Sequence, residues 1–234
     1  MSVTNRTIIE AILFDAEGVV VDTESLWDQG QAELLRRRGL AYDRERVKHL
    51  LSGTSLVEGA RILQQAYGLS GDVAALARER MDILKDLFER GVTFVRGFQA
   101  FFERVRRRYK TCIATALDES LLRIVDRRLG LHELFDGRIF TLSDVDHRSK
   151  PDPALFRFAA EQLGVPPQQC LVIEDAPRGV EAAKRAGMAC VALTTTYDPS
   201  RLQQADAIAA SFAEIERFLP RLQVSTRTSR PSPA

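Results

Sequence analysis

Residues 11–18 read Ala-Ile-Leu-Phe-Asp-Ala-Glu-Gly. A continuous apolar run of this kind is the pattern of a strand buried on both faces, and such strands belong to parallel sheets covered by helices. Two carboxylates, Asp15 and Glu17, leave the run at its C-terminal end, and Gly18 supplies a bend. Further along, Cys112-Ile113-Ala114 ends in Thr115, and Cys170-Leu171-Val172-Ile173 ends in Glu174 and Asp175. Helical patterns follow these runs: Asp152-Pro153 leads into 154–163 with Gly164 beyond, and Pro177 leads into 179–186 with Gly187 beyond. Proline near the first turn and glycine past the last are start and stop signals. The alternation predicts an α/β fold, a doubly wound parallel sheet whose ligands gather at the carboxyl ends of the strands. The polar residues just named occupy those ends.

One interval breaks the alternation. About eighty residues separate the first strand from the helix near Phe98, too many for a plain connection. They hold four helical patterns, 25–38, 43–50, 56–67 and 72–90, punctuated by Gly39, Gly53, Gly68 and Gly91. The expected organisation is a small helical cap, 23–92, inserted into a core made of 1–22 and 93–224. The end, 225–234, is rich in Ser, Thr, Arg and Pro without apolar periodicity, and is expected to be a disordered tail.

Composition narrows the partner. With 33 basic against 32 acidic residues, no global field recruits nucleic acid or an anionic membrane, so a small molecule is the expected ligand. The arginine and lysine clusters at 36–38, 106–108, 127–128 and 184–185 lie on different helices near their ends, where cations complement the helix dipole. The three cysteines, Cys112, Cys170 and Cys190, lack metal-ligand spacing and sit in apolar runs, as reduced thiols of a cytoplasmic protein do. No stretch approaches the roughly 20 apolar residues of a membrane span. His49, His132 and His147 share no zinc-ligand spacing.

Asp15 and Glu17, one residue apart at a strand end, fit a nucleophile with a general acid/base; alone they fit an acidic strand-to-turn junction equally well. Glu174 and Asp175 repeat the arrangement. Two acidic clusters at neighbouring strand ends repel unless a cation lies between them, and hard oxygen donors suit Mg²⁺. Thr115 offers a hydroxyl and Ala116 an amide near a helix start, while Lys150, in Ser149-Lys150-Pro151-Asp152-Pro153, stands in a proline-framed loop before a helix. Singly, Thr115 reads as a cap and Lys150 as a surface charge.

Taken in order, FDAEGVVVDTE (14–24), IATAL (113–117), SKPDPALF (149–156) and VIEDAPRGVEAAKRAG (172–187) resemble the four motifs of the haloacid dehalogenase-like hydrolase superfamily. The resemblance spans the chain outside cap and tail, and is closest to the branch of β-phosphoglucomutase and sugar-phosphate phosphatases. It implies a Rossmann-like core with an inserted cap and a phosphatase acting on a small phosphorylated metabolite. Asp15 would form a phosphoaspartate, Glu17 would act as acid and base, and Thr115, the Ala116 amide and Lys150 would hold the phosphoryl group. It further implies Mg²⁺ on the side chains of Asp15 and Asp175 and the carbonyl of Glu17, with Glu174 beside it.

The chain departs from that pattern at Glu17, where the family's phosphatases and mutases carry aspartate. β-Phosphoglucomutases also carry an arginine where Leu56 stands and a hinge histidine where Trp27 stands; Trp27 here reads as an aromatic packed into the hinge. The alternatives to a phosphatase are a phosphomutase and a phosphate-binding domain in which Glu17 has weakened turnover. Cap side chains do not spell out a substrate, and nothing in the sequence sets an oligomeric state.

Overall fold

The computed structural model describes residues 6–51, 54–219 and 224–225. A short strand β1 (Arg6–Thr7) precedes β2 (Ala11–Phe14), and β3 (Val21–Asp22) leads into four helices, α1 (Glu24–Arg36), α2 (Arg44–Leu51), α3 (Leu56–Tyr67) and α4 (Val73–Gly91). The chain returns through β4 (Thr93–Phe94) to α5 (Phe98–Val105), β5 (Lys110–Ala114), α6 (Glu119–Leu129), α7 (Leu131–Leu134) and β6 (Ile139–Phe140). It closes with α8 (Ala154–Leu163), β7 (Cys170–Glu174), α9 (Pro177–Ala186), β8 (Ala189–Leu193), β9 (Ala207–Ala209), α10 (Phe212–Phe218) and β10 (Val224–Ser225).

Six strands form one parallel sheet in the order β6-β5-β2-β7-β8-β9. From β2 the chain winds outward through β5 and β6, then returns to β7 and winds the other way. The reversal falls between β2 and β7, so a crevice opens at the carboxyl ends of those two strands. Register brings their ends level: Phe14 pairs with Ile173, and the Asp15 amide donates to the Ile173 carbonyl at 3.0 Å.

Side chains alternate across the sheet. Ile12, Phe14, Ile113, Leu171, Ile173 and Val191 face a cluster containing Phe98, Phe101, Phe102 and Phe135. Phe14 lies edge-on to Phe98 and to Phe135, each at 5.8 Å. Each fully buried ring contributes on the order of 2 kcal/mol. The other face carries Ala11, Leu13, Cys112, Ala114, Cys170, Val172, Cys190 and Ala192, small enough for α8 and α9 to pack close. All three cysteines are free and buried there, and burial raises their thiol pKa values.

The end signals read from sequence stand where expected. α8 stops at Gly164 (φ 62°), and α9 starts on Pro177 and stops at Gly187 (φ 80°), both glycines in the left-handed conformation. Arg36, Arg127 and Arg128, and Lys184 and Arg185 occupy last turns. The four inserted helices begin and end within two residues of the expected ranges. They share an apolar cluster of their own that includes Leu34, Leu35, Val47, Leu63 and Leu76. Leu26, Met81, Leu84 and Phe88 instead join the aromatic cluster against the sheet. The chain leaves and re-enters the sheet domain through the antiparallel pair β3 and β4, two residues each and too short to show in the sequence pattern. Of the expected tail, Ser225 pairs with Arg6; 226–234 lie outside the described residues, as do Ser52 and Gly53. Among the described residues no helix is long and apolar enough to cross a membrane.

Candidate active site

Asp15 follows β2, and Glu174 ends β7 with Asp175 after it, so the crevice receives three buried carboxylates from two adjacent strands. Lys150, also buried, reaches them from the loop before α8. Its ammonium donates to Asp15 Oδ1 and to Glu174 Oε1, the latter at 2.7 Å. Two hydrogen bonds from Arg178 to the Lys150 carbonyl, from Nε at 2.9 Å and Nη2 at 2.6 Å, tie that loop to α9.

The two acids of β7 are not equivalent. Glu174 is consumed by the protein: besides Lys150, its Oε2 accepts from the amides of Asp175 and Ala176 at 2.8 and 2.9 Å. Its carboxylate fills the space left by Gly179, where a Cβ would come within 1.7 Å of Oε1. Asp175 accepts from the Thr196 hydroxyl on Oδ2, and among the described residues no donor reaches its Oδ1. Gly18 (φ 68°) passes so close to that carboxylate that a Cβ would lie 1.9 Å from Oδ2, and its carbonyl accepts from Thr195 at 2.6 Å. A glycine is required there on both counts.

One lysine does not balance these acids. Burial pushes the Asp15 carboxyl up to about 7, with Lys150 opposing the shift and Glu174 adding to it. Burial, then Glu174 and Asp15, likewise hold Asp175 well above the usual carboxylate range. Burial would lower Lys150, but the two carboxylates outweigh it and hold the ammonium above its ordinary value. The uncompensated charge is what a divalent cation would neutralise. Among the described residues no three His, Cys, Asp or Glu side chains are grouped to hold a metal. The donors available to such a cation would be two carboxylates, Asp15 and Asp175, and the Glu17 carbonyl, all three residues lining the one cavity. The turn over 16–21 bonds the Gly18 amide to the Val21 carbonyl and the Val21 amide to the Ala16 carbonyl, bypassing that of Glu17. One or two carboxylates, completed by water and substrate phosphate, is how Mg²⁺ is ordinarily held. The residues fit that ion.

Glu17 is half-buried. Its Oε1 accepts from Trp27 Nε1 at 2.6 Å and from Thr23 Oγ1 at 3.2 Å. Burial raises its pKa, and those two bonds partly offset the rise. Ala116 lines the cavity. Thr115 is fully buried and does not: its hydroxyl accepts from the Leu117 amide at 3.0 Å, closing the turn after β5.

These groups floor a cavity of about 450 Å³ whose roof comes from the inserted segment, through Trp27, Gln31, Lys48 and Arg80 on its helices and Tyr42 between α1 and α2. Sequence reading missed Gln31 and Arg80 as lining residues. Trp27 does pack as read, with Phe88 edge-on at 6.4 Å, but it also lines the cavity and bonds Glu17. Arg80 is buried, donates from Nε to Gln31 Oε1 at 2.9 Å and from Nη1 to the Leu56 carbonyl at 3.3 Å, and stands 5.1 Å from the Trp27 ring. It pairs with no carboxylate among the described residues, and burial lowers its pKa to about 10. Thus no arginine stands at 56, but α4 brings one to the backbone of that residue.

Comparison with known proteins agrees with this fold. A family model for haloacid dehalogenase-like hydrolases matches residues 9–187, from two residues before β2 to the glycine after α9. The chain is 31% identical over 203 residues to the validoxylamine A 7'-phosphate phosphatase of Streptomyces hygroscopicus subsp. limoneus, a match covering 87% of this chain and 94% of that one. It is 30% identical over 206 residues to a phosphorylated carbohydrates phosphatase of Thermotoga maritima, covering 86% and 93%. The crystal structure of CbbY from Rhodobacter sphaeroides in complex with phosphate superposes with a TM-score of 0.73 at 28% identity, covering 89% of this chain and 96% of that one. Motifs, sheet order and matched span coincide, and the chain belongs to the haloacid dehalogenase-like hydrolase family.

Proposed function

We propose that this chain is a Mg²⁺-dependent phosphatase that hydrolyses a small phosphorylated metabolite, a sugar phosphate, through a phosphoaspartate on Asp15. The observation that carries the reading is the meeting of Asp15, Lys150, Asp175 and Glu17 around one cavity at the switch point of the sheet. The named relatives that are phosphatases of phosphorylated carbohydrates and of validoxylamine A 7'-phosphate support the substrate class.

In the first step an Asp15 oxygen bonds to phosphorus, the ester bond breaks, and Glu17 gives its proton to the departing alkoxide. In the second, Glu17 takes a proton from water as the water oxygen bonds to phosphorus and the Asp15–phosphorus bond breaks. Lys150 and the Ala116 amide hold the transferring oxygens, with Thr115 closing the turn that presents that amide rather than reaching the cavity itself, so most of the stabilisation is electrostatic and preorganised. The Asp15 and Asp175 side chains and the Glu17 carbonyl hold the metal, with Glu174 fixing Lys150 behind them. Bound Mg²⁺ supplies charge neutralisation for the phosphoryl oxygens. Residues 23–92 act as the cap and exclude bulk water from a core made of 1–22 and 93–224.

A panel of phosphorylated metabolites assayed for phosphate release, with and without Mg²⁺ and with Asp15→Asn as control, tests the reading. Absence of release from every member, or equal release by Asp15→Asn, rejects it. A phosphomutase is the second reading, favoured by Arg80, a buried guanidinium beside Leu56 that suits a second phosphate. An isomeric sugar phosphate in place of free phosphate would select it.

A further inference from the structure

Glu17 and Trp27 come from different parts of the molecule, one from the turn after β2 and the other from the first helix of the insertion. They meet in the shortest hydrogen bond that Glu17 makes, 2.6 Å from the indole Nε1 to Oε1. The Thr23 hydroxyl reaches the same oxygen at 3.2 Å. No described protein donor reaches Oε2. The indole is itself held, with the Phe88 ring edge-on at 6.4 Å and the Arg80 guanidinium 5.1 Å from the ring centroid. Arg80 is fixed in turn by Gln31 and the Leu56 carbonyl. A half-buried indole N–H is best satisfied by an acceptor, and Glu17 is the one it has.

Two consequences follow from elementary chemistry. An indole N–H only donates, so the oxygen it bonds stays a bare acceptor whether or not the carboxyl is protonated. The exchangeable proton is thereby confined to Oε2. Reach is the second: aspartate at 17 would be shorter by one carbon–carbon bond, about 1.5 Å, and from the same backbone would fall short of the indole.

We propose that Trp27 is a positioning residue for Glu17. Its N–H pins Oε1 and presents Oε2 as the oxygen that gives and takes the proton, so that Glu17 and Trp27 work as a matched pair. The long acid is placed by the long donor, and the proton-transfer group is assembled jointly by the core and the insertion. The kinetic part of this inference rests on the phosphatase reading; the structural part does not.

The chain has a single tryptophan, so its indole N–H gives one resonance. In the full-length protein that resonance moves toward the free-indole position in Glu17→Asp and in Glu17→Ala. A resonance unmoved in both variants overturns the proposal. For the kinetics, Trp27→Phe keeps the ring and removes the N–H. On a sugar monophosphate turned over by wild type, kcat falls roughly 10- to 100-fold, as misplacing a reacting group by about 1 Å does, while KM changes little. In the Glu17→Asp background the same substitution changes kcat less than about twofold, because the contact is already lost. An equal fall in both backgrounds means that Trp27 only packs, and the proposal fails. If wild type hydrolyses no phosphate ester, the phosphatase reading fails, and the indole resonance still decides the contact.

Discussion

The floor of the cavity takes its residues from strand ends, whereas its roof takes them from the flanks of helices. On the floor, Asp15, Glu174 and Asp175 are set by hydrogen bonds between neighbouring strands, and Lys150 by a loop clamped through Arg178. On the roof, Gln31 and Arg80 belong to α1 and α4 and meet only because those helices pack together. The floor carries excess negative charge and the roof a buried positive one. On the proposed reading a phosphate ester would bridge the two, its reacting end on the floor and its remaining groups under the roof. Substitutions on the floor should therefore strike turnover, and substitutions on the roof should strike choice of substrate.

The largest effect belongs to Asp15→Asn. The amide is nearly isosteric but a poor nucleophile, so kcat should fall on the order of 10⁴-fold or more. The fold should survive, because the change removes a buried charge that burial and Glu174 disfavour, and Lys150 retains Glu174. Steady-state kinetics with a thermal melt of the same preparation check both parts. Residual activity above a hundredth of wild type would break the assignment of the floor.

Metal removal comes next. Chelation should abolish turnover and Mg²⁺ restore it. Mg²⁺ should also stabilise the folded chain by about 2.7 kcal/mol at a concentration 100 times its Kd, read as a rise in Tm. Asp175→Asn should remove most of that rise. Glu174→Gln should keep more of it, since Glu174 already accepts from Lys150 and two amides. Loss of the rise in Glu174→Gln but not in Asp175→Asn would exchange their roles.

The floor was legible in the sequence because a strand end is a one-dimensional fact. An apolar run followed by an acid places the acid at the edge of a parallel sheet, and the order of runs then identifies the edge. Asp15, Glu17, Glu174 and Asp175 were found in this way and lie around one cavity; Lys150, which read singly as a surface charge, became a candidate only through the order and spacing of the motifs, and it lies buried at the same cavity. The inserted helices were legible for a similar reason, since period and glycine punctuation are local. The roof was not. Gln31 and Arg80 are 49 residues apart, and nothing in either helix alone announces their contact. Trp27 shows the same limit: its packing followed from its type, but its bond to Glu17 depends on how α1 lies over the turn after β2. Thr195, Thr196 and Arg178 also escaped notice, being ordinary loop and helix-start residues until Gly18, Asp175 and Lys150 are beside them.

Paired glycines sharpen the contrast at the level of stability. Gly179→Ala drives a methyl into the Glu174 carboxylate, which three hydrogen bonds hold in place, and should cost about 1–3 kcal/mol. Gly59→Ala meets Arg80 Nη1 at 2.5 Å, but the guanidinium borders the cavity and has room to shift, so the cost should be under about half as much. Denaturant melts of the two variants decide the order. If Gly59→Ala is the more costly, the roof is as rigid as the floor.

The smallest effect on the chemistry, and the most selective, should come from Arg80→Met. Methionine keeps an unbranched stem and removes the charge, and no carboxylate is left behind unpaired, because Arg80 has none among the described residues. Gln31 loses a donor and the Leu56 carbonyl another, a local cost of the order of 1–3 kcal/mol in stability. For p-nitrophenyl phosphate, which has no second anionic group to reach the roof, kcat/KM should stay within about threefold of wild type, since the floor is untouched. For a sugar phosphate bearing a second anionic group, a hydrogen bond to a buried guanidinium is worth about 1.5–3 kcal/mol, so kcat/KM should drop roughly 10- to 100-fold. That loss should appear mainly in KM if the second group is held equally before and during reaction. An equal drop on both compounds would mean that Arg80 acts through Trp27 on Glu17, joining roof to floor. No drop on either would mean that the guanidinium serves the packing of α1 against α4 alone.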